Sequence, residues 1–395
     1  SRGSGTVFFK NASDGGASEV PCDANDFLSA GGWSDELIRL YMPSSDTSFV
    51  DTLATPNSPA GSGPFRVVTD EGLSIPSPSP ITVSYSVTSD PSYYPKRPIH
   101  LGPLEPFGGT YTFHIDSLVA NFEGGSLIPV IKKALREWTC LTGVDWTLAE
   151  GPDYPTLPEA EYDSLCVIRF GPLPATQLAI TRNIRFGCSE RTYVAESDIV
   201  INESPEILWF IDTIPENAVP VEYRDLYQTL LHELGHAHSM QHVIEPERIM
   251  YFADTPSDLP RNIELFADGG LFEGGNWVMD ESFLHPPPIG CGVTSISSIT
   301  SPFCSGFYNI DEIAIGSPIR ISPNPTTTQL TVMTEKVRMK RIDISDAVGA
   351  LTFSSRHRPM MSMDIDVSHL QSGVYLVQVL FEDGTTAVER FIKAN

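Results

Sequence analysis

Basic residues, long apolar runs and closely paired cysteines are all scarce in this sequence of 395 residues. Lys and Arg number 25 against 50 Asp and Glu, a formal net charge of −25, so nucleic acid and anionic membrane surfaces would repel the chain. No apolar run approaches the ~20 residues that a transmembrane helix needs. Residues 1–5 carry no signal-peptide pattern and are interpreted as a mature end. We therefore expect no nucleic-acid partner and no transmembrane segment.

The six cysteines include no C-x-x-C pair, which argues against a second metal site built on thiolates. Their even number suits three disulfides in an oxidising compartment. Six cysteines allow about 15 pairings. Cys291 and Cys304 bracket a short Ser/Thr-rich segment and are predicted to form one bridge. The remaining cysteines are predicted to pair as Cys140 with Cys188, and Cys22 with Cys166.

The most informative stretch, residues 232–242, reads His-Glu-Leu-Gly-His-Ala-His-Ser-Met-Gln-His. Four residues separate His232 from His236, so on a helix the two side chains differ by only ~40° of rotation. Upstream apolar residues at near-helical spacing, with no Pro or Gly over 221–234, predict that helix. Two imidazoles at this spacing, with Glu233 beside the first, form the zinc-binding pattern H-E-x-x-H, in which the Glu is the general base.

The spacing of His242 predicts where this helix ends. If the helix continued, His242 would lie ~280° round from His232 and could not share its metal. The helix must therefore stop just after His236, and the chain must turn back, for His242 to become a third ligand. His238 points away from the ligand face and is expected to be structural or exposed.

In this stretch the chain resembles the metzincin clan of metalloproteases. The clan motif, H-E-x-x-H-x-x-G-x-x-H, is matched at every zinc ligand and at the Glu, whereas Ser239 takes the position of the usual Gly. A non-Gly residue in a left-handed turn costs on the order of 1 kcal/mol, which a folded domain tolerates. The departure concerns the shape of the turn more than the identity of the ligands.

A second part of the resemblance is Arg248-Ile249-Met250-Tyr251. It resembles the Met-turn of the clan, in which Met250 would pack beneath the zinc-binding imidazoles. Some members carry a Tyr ligand two residues after this Met, but here the position is Phe252, which cannot ligate. The resemblance therefore implies Zn²⁺ held by three side chains and a water, with the ligands His232, His236 and His242.

The activity that this resemblance implies is that of a secreted zinc metalloendopeptidase acting on protein or peptide substrates. Zinc would activate a water and polarise the scissile carbonyl, and Glu233 would take the proton of the water. The alternative is a catalytically weak zinc-binding adhesion or binding protein of the same fold, with Ser239 marking the decay. Acidic loops often build calcium sites, so Ca²⁺ is a second candidate cofactor; a solvated acidic surface is the other interpretation of the charge.

The predicted fold class is α+β: a metzincin catalytic domain with a mixed sheet and an active-site helix, flanked by β-rich segments. The catalytic domain is predicted over residues 106–290, and its order of elements resembles the matrixin-like branch. We expect a helix over 127–140 and strands at 111–115, 144–148, 166–170 and 198–202. A short helical run is expected over 262–268, ended by Gly269-Gly270, and Gly274-Gly275 are expected to interrupt the chain after it.

Residues 1–105 are predicted to be a β-rich accessory domain or a pro-segment, because short apolar runs alternate with turn residues. As a pro-segment it would block the zinc with Cys22 or Asp23, since latent members of the clan place a thiolate or carboxylate where the water binds. As an accessory domain it would never approach the metal. The even cysteine count favours a disulfide for Cys22 and hence the second interpretation.

The C-terminal part divides into a cysteine-stapled linker, 291–317, and a β-sandwich, 318–395, whose expected strands are 329–333, 341–344, 363–367, 374–380 and 388–392. Ser322-Pro-Asn-Pro325, residues 342–349, Leu370-Gln-Ser-Gly-Val-Tyr375 and the final Ile392-Lys393 resemble the C-terminal sorting domain of type IX secretion cargo. This resemblance implies contact with the secretion machinery and export across the outer membrane, to the medium or the cell surface. The alternative is a generic immunoglobulin-like adhesion module.

Overall fold

The chain folds into two compact units, Ser1–Phe307 and Tyr308–Asn395. The computed structural model describes residues 5–22, 33–34, 37–44, 58–93, 96–124, 126–149, 163–213, 218–253, 270–298, 319–334, 337–346, 351–382 and 386–394. Residues 1–105 and 106–290, which the sequence divides into separate segments, thus belong to the same unit.

The first unit opens with short strands. These are β1 (Gly5–Asn11), β2 (Glu19–Pro21), β3 (Ala60–Thr69), β4 (Ser74–Pro76), β5 (Ser86–Val87), β6 (Ser89–Asp90), β7 (Arg97–Pro98) and β8 (His100–Leu101). β1 to β4 form a four-stranded sheet in the order β2-β1-β3-β4. A 3-10 turn, Ala12–Asp14, follows β1 directly. The sheet formed by β1 to β4 buries a small apolar core on one face, as the alternation of apolar residues in β1 predicts.

The rest of this unit is a mixed sheet with helices. Its elements are β9 (Tyr111–Ile115), α1 (Ser117–Asn121), α2 (Leu127–Thr142), β10 (Trp146–Leu148), β11 (Cys166–Gly171), β12 (Ala179–Cys188), β13 (Arg191–Asn202), β14 (Leu208–Phe210), β15 (Tyr223–Asp225), α3 (Leu226–Ala237), β16 (Met240–Gln241) and α4 (Gly270–Leu284). The strand order is β10-β9-β11-β13-β12, with β8 added to β13. β12 is the antiparallel edge strand, and the other pairs are parallel. The sheet is mixed, as predicted, but β12 is not among the expected strands.

Helix α2 begins at the predicted residue and runs two residues further than expected. Its apolar face is buried at Ile131, Leu135 and Trp138, which satisfies the helical spacing of these residues. Gly143 ends the helix in the left-handed region, with φ of 78°, and its N–H donates to the Thr139 carbonyl at 2.9 Å. Trp138 also donates from Nε1 to the Leu231 carbonyl of α3 at 3.0 Å, so α2 supports the helix that carries the histidines.

The prediction that glycines interrupt the chain after residue 269 is wrong. α4 runs through both Gly274 and Gly275. A Cβ on Gly275 would lie 2.7 Å from Cγ2 of Thr142, and one on Gly274 would lie 2.7 Å from Cγ of Tyr85. The glycines let α4 approach its neighbours closely, and this packing offsets the helix cost of about 1 kcal/mol for each glycine. The expected helical run over 262–268 lies outside the described residues.

The predicted pairing of Cys291 with Cys304 is wrong, because Cys291 is bonded to Cys188 across 103 residues. Cys140 is therefore not the partner of Cys188; it is itself disulfide-bonded. Cys304 lies outside the described residues. Cys22 and Cys166 are both buried and are not bonded to each other. Closeness in the sequence does not predict which cysteines pair here, because the end of a β-hairpin can contact a segment far away in the chain.

The second unit is a β-sandwich. Its strands are β17 (Ile319–Ser322), β18 (Gln329–Thr334), β19 (Met339–Asp346), β20 (Leu351–Met360), β21 (Ser362–Asp366), β22 (Gly373–Phe381) and β23 (Thr386–Lys393). One sheet has the order β17-β18-β21 and the other β20-β19-β22-β23. Both contribute to one core, which includes Leu330, Val332, Ile342, Val377, Val379 and Phe391. All five expected strands are present, and β17 and β20 are additional.

Among the described helices, none is both long enough and apolar enough to cross a membrane.

Candidate metal centre

Helix α3 begins after a capping aspartate and ends at a left-handed turn. At the start, the Asp225 side chain accepts hydrogen bonds from the backbone N–H groups of Tyr227 and Gln228, which satisfies donors that a helix start leaves open. The last helical residue is Ala237, and Ser239 adopts a φ of 63°. The helix therefore ends one residue after His236, and the left-handed residue is the one that takes the place of the usual glycine. The predicted end of the helix just after His236 and the predicted left-handed turn at Ser239 are both confirmed.

The reversal of the chain brings the three histidines together. The ring centroids of His232 and His236 are 4.8 Å apart, and those of His236 and His242 are 4.9 Å apart. One potential ligand nitrogen from each residue lies within 4.8 Å of the other two. Within the described ranges this is the one such group of three or more His, Cys, Asp or Glu side chains. These three nitrogens could hold a metal ion.

Two of the three imidazoles donate from Nδ1 to a backbone carbonyl. His232 Nδ1 lies 2.7 Å from the Ile249 carbonyl oxygen, and His236 Nδ1 lies 3.0 Å from that of Met240. A carbonyl oxygen can only accept, so in a neutral ring the proton is on Nδ1 and the lone pair is on Nε2. Each Nε2 can therefore donate its lone pair to a metal ion.

The third imidazole has a different partner. Nδ1 of His242 lies 3.1 Å from the hydroxyl oxygen of Ser13, a residue of the N-terminal turn. Nε2 of His242 faces Nε2 of His236 at 3.2 Å. Tetrahedral zinc with Zn–N distances of about 2.0–2.1 Å separates its nitrogen ligands by about 3.4 Å. The donor set and this spacing fit a zinc ion.

The burial of His232 and His242 favours the neutral form of both rings. Burial, and then the neighbouring His236, lowers the pKa of His232 to about 4. Burial also holds the pKa of His242 well below its usual range. Neutral imidazole is the form that ligates metals, so no proton has to be removed at neutral pH.

Met250, which the sequence predicts to lie in a Met-turn, is found in a buried turn. It is buried, and the turn that contains it is closed by a 3.1 Å hydrogen bond from the Tyr251 N–H to the Arg248 carbonyl. Its side chain packs against α3 at Gly235, where an added Cβ would clash with the Met250 sulfur. The glycine of the His-Glu-Leu-Gly-His stretch thus allows the methionine to pack closely against α3.

Glu233 lines the same cavity as the three histidines. The hydroxyl of Thr181, on β12, lies 2.7 Å from Oε2 of Glu233 and 2.8 Å from its carbonyl oxygen. Burial raises the pKa of Glu233, while His232 and Thr181 lower it in part. A carboxylate with a raised pKa is a better proton acceptor near neutral pH.

The three histidines and Glu233 line a cavity of about 670 Å³. Its walls come from four places in the chain. These are the N-terminal segment (Ser13, Ser58, Pro59), edge strand β12 with the residues before it (175–181 and Asn183), β15 with the start of α3 (Arg224, Gln228, Thr229), and the segment after α3 (Gln241, Ile249, Tyr251, Phe252 and Ala253). The first residues of the loop after Met250 thus form part of one wall.

Of the two residues considered for latency, Cys22 does not line this cavity. Cys22 lies in the apolar core of the N-terminal sheet with Val7, Phe9 and Ala60, and Asp23 lies outside the described residues. The expectation that an accessory N-terminal domain stays away from the centre is wrong, because Ser13 contacts His242. No sequence pattern could have identified Ser13 or Thr181, since neither is near the histidine motif in the chain.

His238 is structural. It is fully buried, stacked on Trp138 with ring centroids 5.1 Å apart, and its Nε2 lies 3.2 Å from the Thr142 hydroxyl. The side chain therefore joins α3 to α2 rather than facing the cavity.

Residues 320–394 match the family described as the Secretion system C-terminal sorting domain. The C-terminal β-sandwich is a type IX secretion sorting domain. The sorting domain marks the chain for interaction with the type IX secretion machinery and for export to the cell surface or the extracellular space.

Two solved structures are similar to parts of the chain. One is a DUF3244 family protein with an immunoglobulin-like β-sandwich fold from Bacteroides vulgatus, at 17% identity, covering 20% of this chain and 85% of that one, with a TM-score of 0.18. The other contains the CBM51-2 and INT domains of Clostridium perfringens ZmpB, at 24% identity, covering 18% of this chain and 17% of that one, with a TM-score of 0.15. A search of curated proteins finds no match.

Proposed function

We propose that the chain is an exported zinc-dependent endopeptidase of the metzincin, matrixin-like type. The observation that carries the proposal is the arrangement of the three histidines. Each Nδ1 has a hydrogen-bond partner, so each Nε2 can act as a ligand, and the three rings converge beside a buried carboxylate. Ligand, base and cavity occur together, as the H-E-x-x-H motif requires.

His232, His236 and His242 would hold the zinc ion. Zinc held there would lower the pKa of a water and polarise a carbonyl. Glu233 receives the proton from the attacking water and returns it to the leaving amine. The Thr181 hydroxyl keeps the Glu233 carboxylate directed into the cavity during both transfers.

The edge of β12 supports a peptide as the substrate. In the described part of the chain, β12 pairs with β13 alone, so its outer edge at residues 179–181 can accept an added strand. Ala179, Ile180 and Thr181 line the cavity directly beside Glu233. An extended peptide that pairs with this edge would pass the histidines with its backbone in a fixed register.

The test is hydrolysis of casein or gelatin by the purified chain, with and without a zinc chelator. We expect activity that the chelator abolishes and added zinc restores. Glu233→Gln should retain zinc but lose turnover, since Glu233 is not a ligand. His236→Ala should lose both the metal and local stability. Hydrolysis that is equally fast in Glu233→Gln, or a chain that binds zinc without hydrolysing any protein, would contradict the proposal.

A further inference from the structure

We infer that Ser13 is a positioning residue for His242, and that the N-terminal turn, residues 11–16, is a permanent part of the metal centre. This inference rests on the proposed zinc function. His232 and His236 are oriented by carbonyl groups of the loop that follows α3. His242 is instead oriented by a hydroxyl that comes from 229 residues earlier in the chain.

The position of Ser13 is fixed by the structure of the turn. The Asn11 side chain accepts a 2.9 Å hydrogen bond from the Ser13 N–H and donates a 3.0 Å bond to the Ser18 hydroxyl. Ala12 is fully buried, and its N–H donates to the Pro59 carbonyl at 2.9 Å. The hydroxyl is therefore carried by a turn that is tied at both ends to the N-terminal sheet.

The same turn packs around the residues that come after the histidine. A Cβ on Gly15 would lie 2.8 Å from Cε1 of Phe252, so only a glycine allows this close approach. An added Cβ on Gly61, at the start of β3, would clash with the Ile244 side chain, two residues beyond His242. The N-terminal sheet thus contacts the loop of the third histidine at several points besides the hydrogen bond.

At this position a hydroxyl can pair with Nδ1 of His242 in either tautomer of the ring, whereas a carbonyl can pair with only one. A carbonyl requires a proton on Nδ1, whereas a hydroxyl can accept from Nδ1–H or donate to a bare Nδ1. Without a metal, a proton on Nε2 of His242 can be shared with Nε2 of His236, 3.2 Å away. When Nε2 ligates a metal, that proton must reside on Nδ1, and the Ser13 oxygen then accepts it. Loss of the hydroxyl leaves a buried N–H without its acceptor in the ligating form.

The experiment measures zinc affinity of the full, metal-free chain by competition with a chromophoric chelator. The variants are Ser13→Ala, Ser13→Thr, which keeps a hydroxyl, and Ser74→Ala, which removes an exposed hydroxyl from the N-terminal sheet away from the cavity. Loss of a hydrogen-bond partner to a ligating histidine typically costs 10- to 100-fold in metal affinity, so we expect Ser13→Ala to weaken zinc binding by about that factor and the other two to change it by less than about twofold.

A double-mutant cycle separates positioning from general stability. In a His242→Ala chain, Ser13→Ala should have no further effect on zinc affinity, because the group through which it acts is gone. If Ser13→Ala binds zinc as tightly as the parent chain, or weakens it equally without His242, the inference is wrong. Circular dichroism of the metal-free variants confirms that they are folded. If the parent chain binds no zinc, the proposed function is wrong, and so is the inference that rests on it.

Discussion

Oγ1 of Thr181 lies 2.7 Å from Oε2 of Glu233, and this contact joins the edge strand β12 to helix α3. Thr181→Val removes the hydroxyl with little change in volume. We expect kcat for a peptide substrate to fall about tenfold, the equivalent of one hydrogen bond of ~1.4 kcal/mol, because the carboxylate loses its orientation. Zinc content should be unchanged, and Thr181→Ser should restore activity. A loss of zinc in Thr181→Val would indicate a structural role instead.

Ser239 is the residue with a left-handed backbone at the turn between the second and third histidines, with φ of 63°. Glycine adopts this conformation without the cost of about 1 kcal/mol that other residues incur. Ser239→Gly should therefore raise the thermal midpoint of the first unit. Ser239→Ala is the matched control, since it removes the hydroxyl and keeps the Cβ. Stabilisation by alanine equal to that by glycine would show that the hydroxyl, rather than the backbone, is responsible.

Glu196 and Asp198 form a buried acidic pair on β13. Burial raises the pKa of Glu196 to about 7, against a reference value of 4.5, and burial with Glu196 raises that of Asp198 to about 7. Between the reference pKa values of these carboxyl groups and about pH 7, the folded chain holds protons that the unfolded chain releases. Stability therefore falls as pH rises through this window and levels off above it.

Glu196→Gln removes this contribution and keeps an acceptor for the Ser164 N–H, which lies 2.8 Å from Oε2. Its stability relative to the parent chain should increase between about pH 5 and about pH 8, by at least about 1 kcal/mol, since each unit of pKa shift corresponds to about 1.4 kcal/mol. Thermal unfolding of both chains at the two pH values measures the difference. An advantage that stays constant with pH would contradict this expectation.

Removal of residues 318–395 tests the division into two units. The second unit has its own core and is a sorting domain. We expect the shortened chain to keep its zinc affinity and peptidase activity but to stay inside the producing cell. Fractionation of cultures, with the full chain as control, shows the location. Secretion of the shortened chain at the normal level would mean that another part of the protein directs export.

The parts of the fold that depend on local spacing could be predicted from the sequence. The helical spacing of α2, the alternation in β9 and the requirement that α3 stop after His236 all come from the geometry of a few neighbouring residues. Strand β12 could not be predicted in the same way, because residues 179–188 lack a clear alternation of apolar and polar side chains.

The contacts that complete the site are not encoded in local spacing. Ser13 and His242 are 229 residues apart, and Thr181 and Glu233 are 52 apart. Nothing in the composition of either partner indicates the other, because tertiary packing alone brings them together. Gly274 and Gly275 show the same limit, since glycines that end helices in isolation are here required for close packing.

The bond between Cys188 and Cys291 closes a covalent ring of the chain that contains every histidine of the candidate site, the Met250 turn and α4. A single proteolytic cut at any peptide bond inside this ring leaves both fragments attached to each other. A nicked molecule would therefore keep its ligand set in one particle outside the cell, and it would separate into two pieces only after reduction.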